Sequence, residues 1–232
     1  MTPSPRWRWM HELLAAPHCL LCAGPTQALV CADCRAALPW NEPACPRCAR
    51  PLTVGPPRTC PDCLRRAPPF DAALCAFRYE TPVSGAIQRL KYSADFLAAR
   101  WLADALAERL QHRTAPLPDC LLPVPLHRWR QLRRGYNQSQ QLARIVAARL
   151  HLPLEAGLAR RLRATEDQIG KTAVERRRNL RGAFAVSAAV SGKAVALIDD
   201  VMTTGSTAAE LARACRRAGA SGVEIWAVAR VP

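Results

Sequence analysis

Four Cys-x-x-Cys pairs fall within the 45 residues from Cys19 to Cys63, and no other feature restricts the fold of this chain as tightly. They are Cys19–Cys22, Cys31–Cys34, Cys45–Cys48 and Cys60–Cys63. A gap of two residues lets both sulfurs of a pair reach one tetrahedral ion at about 2.3 Å. A redox dithiol would normally occur once, on a βα unit. The surrounding segment is rich in Pro and poor in large apolar side chains, so it cannot build a core of its own. Structural zinc supplies on the order of 10–16 kcal/mol per site, against about 5–15 kcal/mol for the net stability of a whole domain. Metal therefore decides whether this segment folds. Sequential pairing puts Cys19, Cys22, Cys31 and Cys34 on one zinc ion and Cys45, Cys48, Cys60 and Cys63 on a second. Spacing alone leaves an interleaved arrangement, or one ion, open. Cys75, Cys120 and Cys215 remain. Cys215 lies four residues after Leu211, on an apolar helical face, and all three read as buried core thiols.

The composition changes near residue 70, after the stiff connector Ala67-Pro68-Pro69-Phe70. Residues 1–68 are expected to form an N-terminal helix (Arg6–Ala16) with the cysteine module, and residues 69–232 a second domain. There the pattern alternates. Ala72–Tyr79, Cys120–Val124, Val195–Ile198 and Val223–Ala229 read as strands. Val83–Tyr92, Ala94–His112, Ser139–Leu150 and Thr207–Ala218 read as helices. Such alternation predicts an α/β fold, a parallel sheet with flanking helices.

The most informative segment of that domain runs from Val195 to Thr207. Val195-Ala196-Leu197-Ile198 reads as a strand covered on both faces. Asp199 and Asp200 follow at its C-terminal end, where open α/β sheets bind ligands. Thr203, Thr204, Gly205, Ser206 and Thr207 then open a helix, whose exposed N–H groups and dipole favour an anion. Gly205 lets the backbone approach closely. A sugar phosphate suits these parts: the loop holds the phosphate, and the carboxylates accept hydrogen bonds from vicinal hydroxyls, directly or through a metal. The plain alternative is an N-capped helix after an acidic turn. Neither the Walker G-x-x-x-x-G-K-[ST] nor the Rossmann G-x-G-x-x-G pattern occurs.

This segment closely resembles the phosphoribosyl diphosphate (PRPP) signature of type I phosphoribosyltransferases. Leu122-Pro123-Val124-Pro125-Leu126, Arg133–Gln138, Thr165–Gln168, Glu175-Arg176, Asn179 and the preceding cysteine module extend the resemblance to the ComF/GntX family, from about residue 18 to the end. The resemblance implies a type I phosphoribosyltransferase-like fold behind a double zinc ribbon. Asp199 and Asp200 would serve catalysis by contacting the ribose hydroxyls. Thr203–Thr207 would hold the 5′-phosphate, and Leu126, His127 and Arg128 would form the pyrophosphate loop. Residues 163–178 would include a flexible loop carrying Arg163, Lys171 and Arg176. Mg²⁺ would accompany PRPP, and the family's link to natural transformation implies a role in DNA uptake with a competence protein partner.

Charge extends the list of partners. The chain carries 33 basic and 18 acidic residues, a formal +15. Eight thiolates on two zinc ions would bring this to about +11. Phosphorylated sugars and single-stranded DNA both suit such a balance. Candidate stacking residues are Trp7, Trp9, Trp40, Trp129 and Tyr136, interleaved with Arg only over Arg6–Trp9 and Arg128–Arg130. Two function classes follow: a Mg²⁺-dependent transferase moving a phosphoribosyl group to a nucleophile, and a non-catalytic module that senses PRPP or a nucleotide while binding single-stranded DNA or a protein. No apolar run is long enough to span a membrane, no signal segment is visible, and cysteine usage suits a reducing compartment. A cytoplasmic address is expected.

Overall fold

A computed structural model describes residues 18–163 and 181–232. The chain divides into two compact units, Met1–Leu38 and Pro39–Pro232. The expected helix Arg6–Ala16 lies outside the described residues.

The two cysteine modules are built alike. In each, the first knuckle closes a tight reversal: Cys19 N–H donates to the Gly24 carbonyl and Ala23 N–H to the Cys19 carbonyl, while Cys45 N–H donates to Arg50 and Ala49 N–H to Cys45. Ala23 (φ 59°) and Ala49 (φ 54°) take left-handed backbone at the same point of the two turns. The second knuckle of each opens a five-residue helix, α1 (Ala32–Ala36) after Cys31 and α2 (Pro61–Arg65) after Cys60. The second module shares its unit with the sheet, and residues 39–46 run beside the sheet's edge strand. There Asn41 N–H donates to Ala76, Ala73 N–H to Pro46, and Arg78 N–H to Pro39. That edge is covered, so its unpaired groups do not invite a foreign strand.

Beyond the second module come β1 (Ala72–Arg78), α3 (Val83–Tyr92), α4 (Phe96–Gln111), β2 (Cys120–Pro123), α5 (Arg128–Arg134), α6 (Gln138–Leu150), β3 (Ala159–Arg161), β4 (Phe184–Val186), β5 (Ala194–Met202), α7 (Ser206–Arg217) and β6 (Gly222–Arg230). Strands β1, β6, β5 and β2 lie side by side in that order, all parallel, and β3 pairs antiparallel with β4. The parallel sheet with flanking helices predicted from the sequence is present. Alternate side chains of the central strands face opposite layers, as the two-residue period of a strand requires. Cys120, Leu122, Val195, Leu197, Val223 and Ile225 pack with Leu211 and Cys215 of α7. Helices α4 and α6 pack against each other and against the sheet. The three leftover thiols, Cys75, Cys120 and Cys215, are buried in the core.

Two differences from the expected elements bear on the site. Strand β5 does not stop at Ile198. It continues through both aspartates to Met202, because β6 keeps pairing with it as far as Arg230. Helix α5 was not expected at all. Seven residues with no buried side chain give no hydrophobic stripe to read. Among the described residues no helix is long and apolar enough to cross a membrane.

Candidate functional site

The site grows from the C-terminal ends of β5 and β2. Asp200 is only 4% exposed. One of its carboxylate oxygens accepts the Val201 amide at 2.9 Å, and the other lies 2.7 Å from the Lys91 ammonium at the end of α3. Burial works against the charge on Lys91, but the Asp200 carboxylate outweighs it and holds the amine above its usual range. Asp199 Oδ1 accepts the Ser139 hydroxyl at 3.0 Å and the Asp200 amide at 2.9 Å. Enclosure by protein, and then the Asp200 charge, push the Asp199 carboxyl up to about 7, and the two hydrogen bonds only partly offset this. Around neutral pH the Asp199 carboxyl is therefore poised between its protonated and ionised forms.

Thr203–Thr207 carry the chain from β5 into α7. Gly205 sits at φ 73° as the residue before the helix, and its side-chain-free position gives no capping hydrogen bond. A Cβ there would come within 2.8 Å of the Met202 methyl. Thr204 Oγ1 and Ser206 Oγ share a hydrogen bond of 2.8 Å. Hydroxyls and helix amides thus gather at one positive helix end, the ordinary chemistry of a phosphate site. The loop is tied from behind by Arg230, which is buried at the end of β6. Its guanidinium donates to the carbonyls of Met202 (3.0 Å) and Thr203, and its Nε to the carbonyl of Cys48 (3.2 Å). One side chain therefore joins the loop to the second cysteine module.

The turn Leu126–Arg128 follows β2 on the same sheet edge, with the Val124 amide donating to Ile198. His127 caps α5 by accepting the Trp129 amide on Nδ1 at 3.4 Å. Asn137 is buried and fixes the turn in two directions, donating to the Val124 carbonyl at 3.0 Å and accepting the Ser139 amide at 3.0 Å. The Arg-Arg-Gly-Tyr-Asn-Gln run is thus a scaffold. Gly135, at φ 81°, ends α5, Asn137 starts α6, and Ser139 reaches Asp199. A cavity of about 630 Å³ opens beside the turn, lined by Pro125, Leu126, Arg128, Asn137, Arg160 and Arg161. Burial lowers the Arg161 guanidinium from its usual range, while Asp199 acts in the opposite sense. Arg163 closes the segment after β3, whereas Lys171, Arg176, Thr165–Gln168, Glu175 and Asn179 lie outside the described residues.

The eight module cysteines form two groups: Cys19, Cys22, Cys31 and Cys34, and Cys45, Cys48, Cys60 and Cys63. In each, all four sulfurs lie within 4.8 Å of one another. Cys22 and Cys31 sulfurs are 3.8 Å apart and those of Cys48 and Cys60 3.6 Å. Four sulfurs on a tetrahedron about 2.3 Å from zinc are separated by about 3.8 Å. Backbone amides of Leu21 and Cys31 point at the Cys19 sulfur, 3.4 Å away, and the Cys60 amide at the Cys45 sulfur, 3.3 Å away. Hydrogen bonding and charge from the other sulfurs, Cys22 first, push Cys34 up to about 12. A divalent cation at the centre removes that repulsion. Both groups fit structural zinc, in sequential pairing.

Sequence reasoning passed over four residues at or beside the site. Lys91 and Tyr92 close an amphipathic helix, Ser139 lies in the first turn of another, and Arg230 ends a buried strand that also carries Glu224. A basic residue inside an apolar strand, as in Val228-Ala229-Arg230, is the one cue that pointed to a buried partner.

Comparison with known proteins gives three results. The double zinc ribbon domain family matches residues 10–64. The DNA utilization protein YhgH of Escherichia coli (strain K12) is 36% identical over 220 residues, covering 91% of this chain and 96% of that protein. The competence protein F of Haemophilus influenzae is 34% identical over 222 residues, covering 91% and 96%. Among solved structures, the glutamine PRPP amidotransferase of Bacillus subtilis aligns over 56% of this chain at 20% identity with a TM-score of 0.39. The present chain spans about a quarter (26%) of that protein's length. Adenine phosphoribosyltransferase of Leishmania donovani aligns over 55% of this chain and 50% of its own, at 22% identity and a TM-score of 0.35.

Proposed function

The chain belongs to the ComF/GntX family, and on that premise we propose that it binds PRPP with Mg²⁺ at the β5–α7 junction and passes the phosphoribosyl group to an acceptor nucleophile. The supporting observation is the contiguity of the Asp199–Asp200 pair with a hydroxyl-rich helix start whose N-cap residue, Gly205, offers no side-chain acceptor. In this reading Thr203–Thr207 and the first amides of α7 take the 5′-phosphate, and the two carboxylates accept hydrogen bonds from the ribose hydroxyls. Arg128, Arg160 and Arg161 face the diphosphate. As the bond from ribose C1 to the diphosphate breaks, positive charge grows on the sugar and negative charge on the leaving group. The carboxylates favour the first and the guanidinium groups the second. The hard oxygens of Asp199 and Asp200 suit Mg²⁺, which would supply charge neutralisation for the departing diphosphate.

The names of the relatives support a role in DNA uptake or utilisation, with a competence protein partner. The unpaired cysteines support a cytoplasmic setting. A second reading, a PRPP or nucleotide sensor without turnover, is favoured by the Lys91–Asp200 ion pair, since a carboxylate already neutralised by an ammonium is suited to recognition without chemistry. Titration calorimetry with PRPP and Mg²⁺ tests the site. The zinc-loaded protein should give saturable heat and Asp200→Asn should weaken binding about tenfold or more. Absence of heat in the folded wild type overturns the reading. Pyrophosphate release with a panel of amine and base acceptors then separates transferase from sensor.

A further inference from the structure

The end of α3 and the length of α5 enclose a second cavity, of about 510 Å³, outside the sugar-phosphate loop. Lys91, Arg133 and Arg134 line it together with Tyr92, Trp129 and Tyr136, and among the described residues no acidic side chain does. Trp129 and Tyr92 are each 75% exposed. The floor is fixed: the Tyr136 hydroxyl donates to the Leu90 carbonyl, and its ring meets Phe96 edge-on at 5.5 Å. Arg134 lies over the Tyr92 ring at 5.5 Å and donates to Gln138 at 2.5 Å. In sequence these parts are some 40 residues apart, and only the fold interleaves the rings with the cations.

We infer that this groove is a docking strip for single-stranded DNA. Rings with exposed faces stack on unpaired bases of any identity, and flanking Lys and Arg track the phosphates. A duplex keeps its base faces covered and cannot use the rings. An acidic peptide would satisfy the cations but leave Trp129 and Tyr92 without planar partners. The inference deepens the DNA link proposed above and does not depend on the sugar-diphosphate reading. The groove and the carboxylate pair share Lys91, whose ammonium sits on Asp200.

Fluorescence anisotropy of a labelled oligo(dT) with the full-length, zinc-loaded protein tests this. Wild type should bind, with affinity falling steeply as salt is added. Trp129→Ala and Arg133→Glu should each weaken binding by about tenfold, with zinc content and thermal midpoint unchanged. Arg217→Glu, at the far end of α7, makes the same charge change and should alter affinity by less than about twofold. Asp200→Asn should weaken PRPP binding about tenfold or more while oligo(dT) binding persists, so the two readings can fail separately. No binding at low salt, equal weakening by Arg217→Glu, duplex bound as tightly as single strand, or displacement by poly-glutamate as readily as by unlabelled oligo(dT) would each overturn the groove assignment.

Discussion

The Lys91 ammonium lies 2.7 Å from Asp200 Oδ2, joining the end of α3 to the C-terminal part of β5. Both groups are mostly enclosed, with side-chain exposures of 23% and 6%. Removing one partner leaves the other desolvated without compensation, at a cost of about 3 kcal/mol. Lys91→Met should therefore lose about that much in urea unfolding. Lys91→Met combined with Asp200→Asn should lose clearly less than the sum of the single changes. Additive effects would show that the pair is not coupled.

Asp199 predicts a pH dependence. Its folded-state pKa, about 7, lies above the ordinary carboxylate value. A raised carboxyl binds its proton more tightly folded than unfolded. This group's contribution to stability is then greatest at acid pH and declines as pH rises from about 4 through about 7. A ligand that recruits the ionised form releases the proton. PRPP affinity should accordingly rise with pH up to about 7, with proton release visible in calorimetry in two buffers of different ionisation enthalpy. Asp199→Asn should remove the buffer dependence.

Gly205 and Arg230 shape the phosphate loop from two directions. Gly205→Ala places a Cβ in left-handed backbone, costing about 1–2 kcal/mol, and against the Met202 methyl 2.8 Å away. PRPP affinity should drop more than stability, because the loop is displaced where the phosphate would sit. Arg230→Met strips donors from the Met202, Thr203 and Cys48 carbonyls. It should weaken PRPP binding at unchanged zinc content, measured by calorimetry beside elemental analysis.

Zinc should be found at two ions per chain. Cys19→Ser and Cys45→Ser should each reduce the content to about one, since each tetrahedral site loses one of four ligands and the other is complete. Chelation should lower the thermal midpoint of the wild type, because the metal's binding energy contributes to folding. A value of one zinc in wild type would refute the two-site assignment.

The local facts of this protein were written in the chain. Cysteine spacing of two marked four knuckles, and the run of apolar residues before Asp199 marked a buried strand with a hydroxyl-rich helix start after it, because these signals depend only on neighbours. Helix α3 begins and ends where its periodicity placed it, at Val83 and Tyr92. Spacing could not choose between pairings of the knuckles. The position of each sulfur depends on how the turns close, and the fold settled the matter by bringing Cys19 to Cys34 and Cys45 to Cys63. Nor could sequence show that Lys91 reaches Asp200, that Ser139 reaches Asp199, that Arg230 grips the loop, or that Tyr92 and Trp129 share one groove. Those residues lie 27 to more than 100 positions apart. Their meeting is decided by strand order and helix packing, which no local pattern encodes.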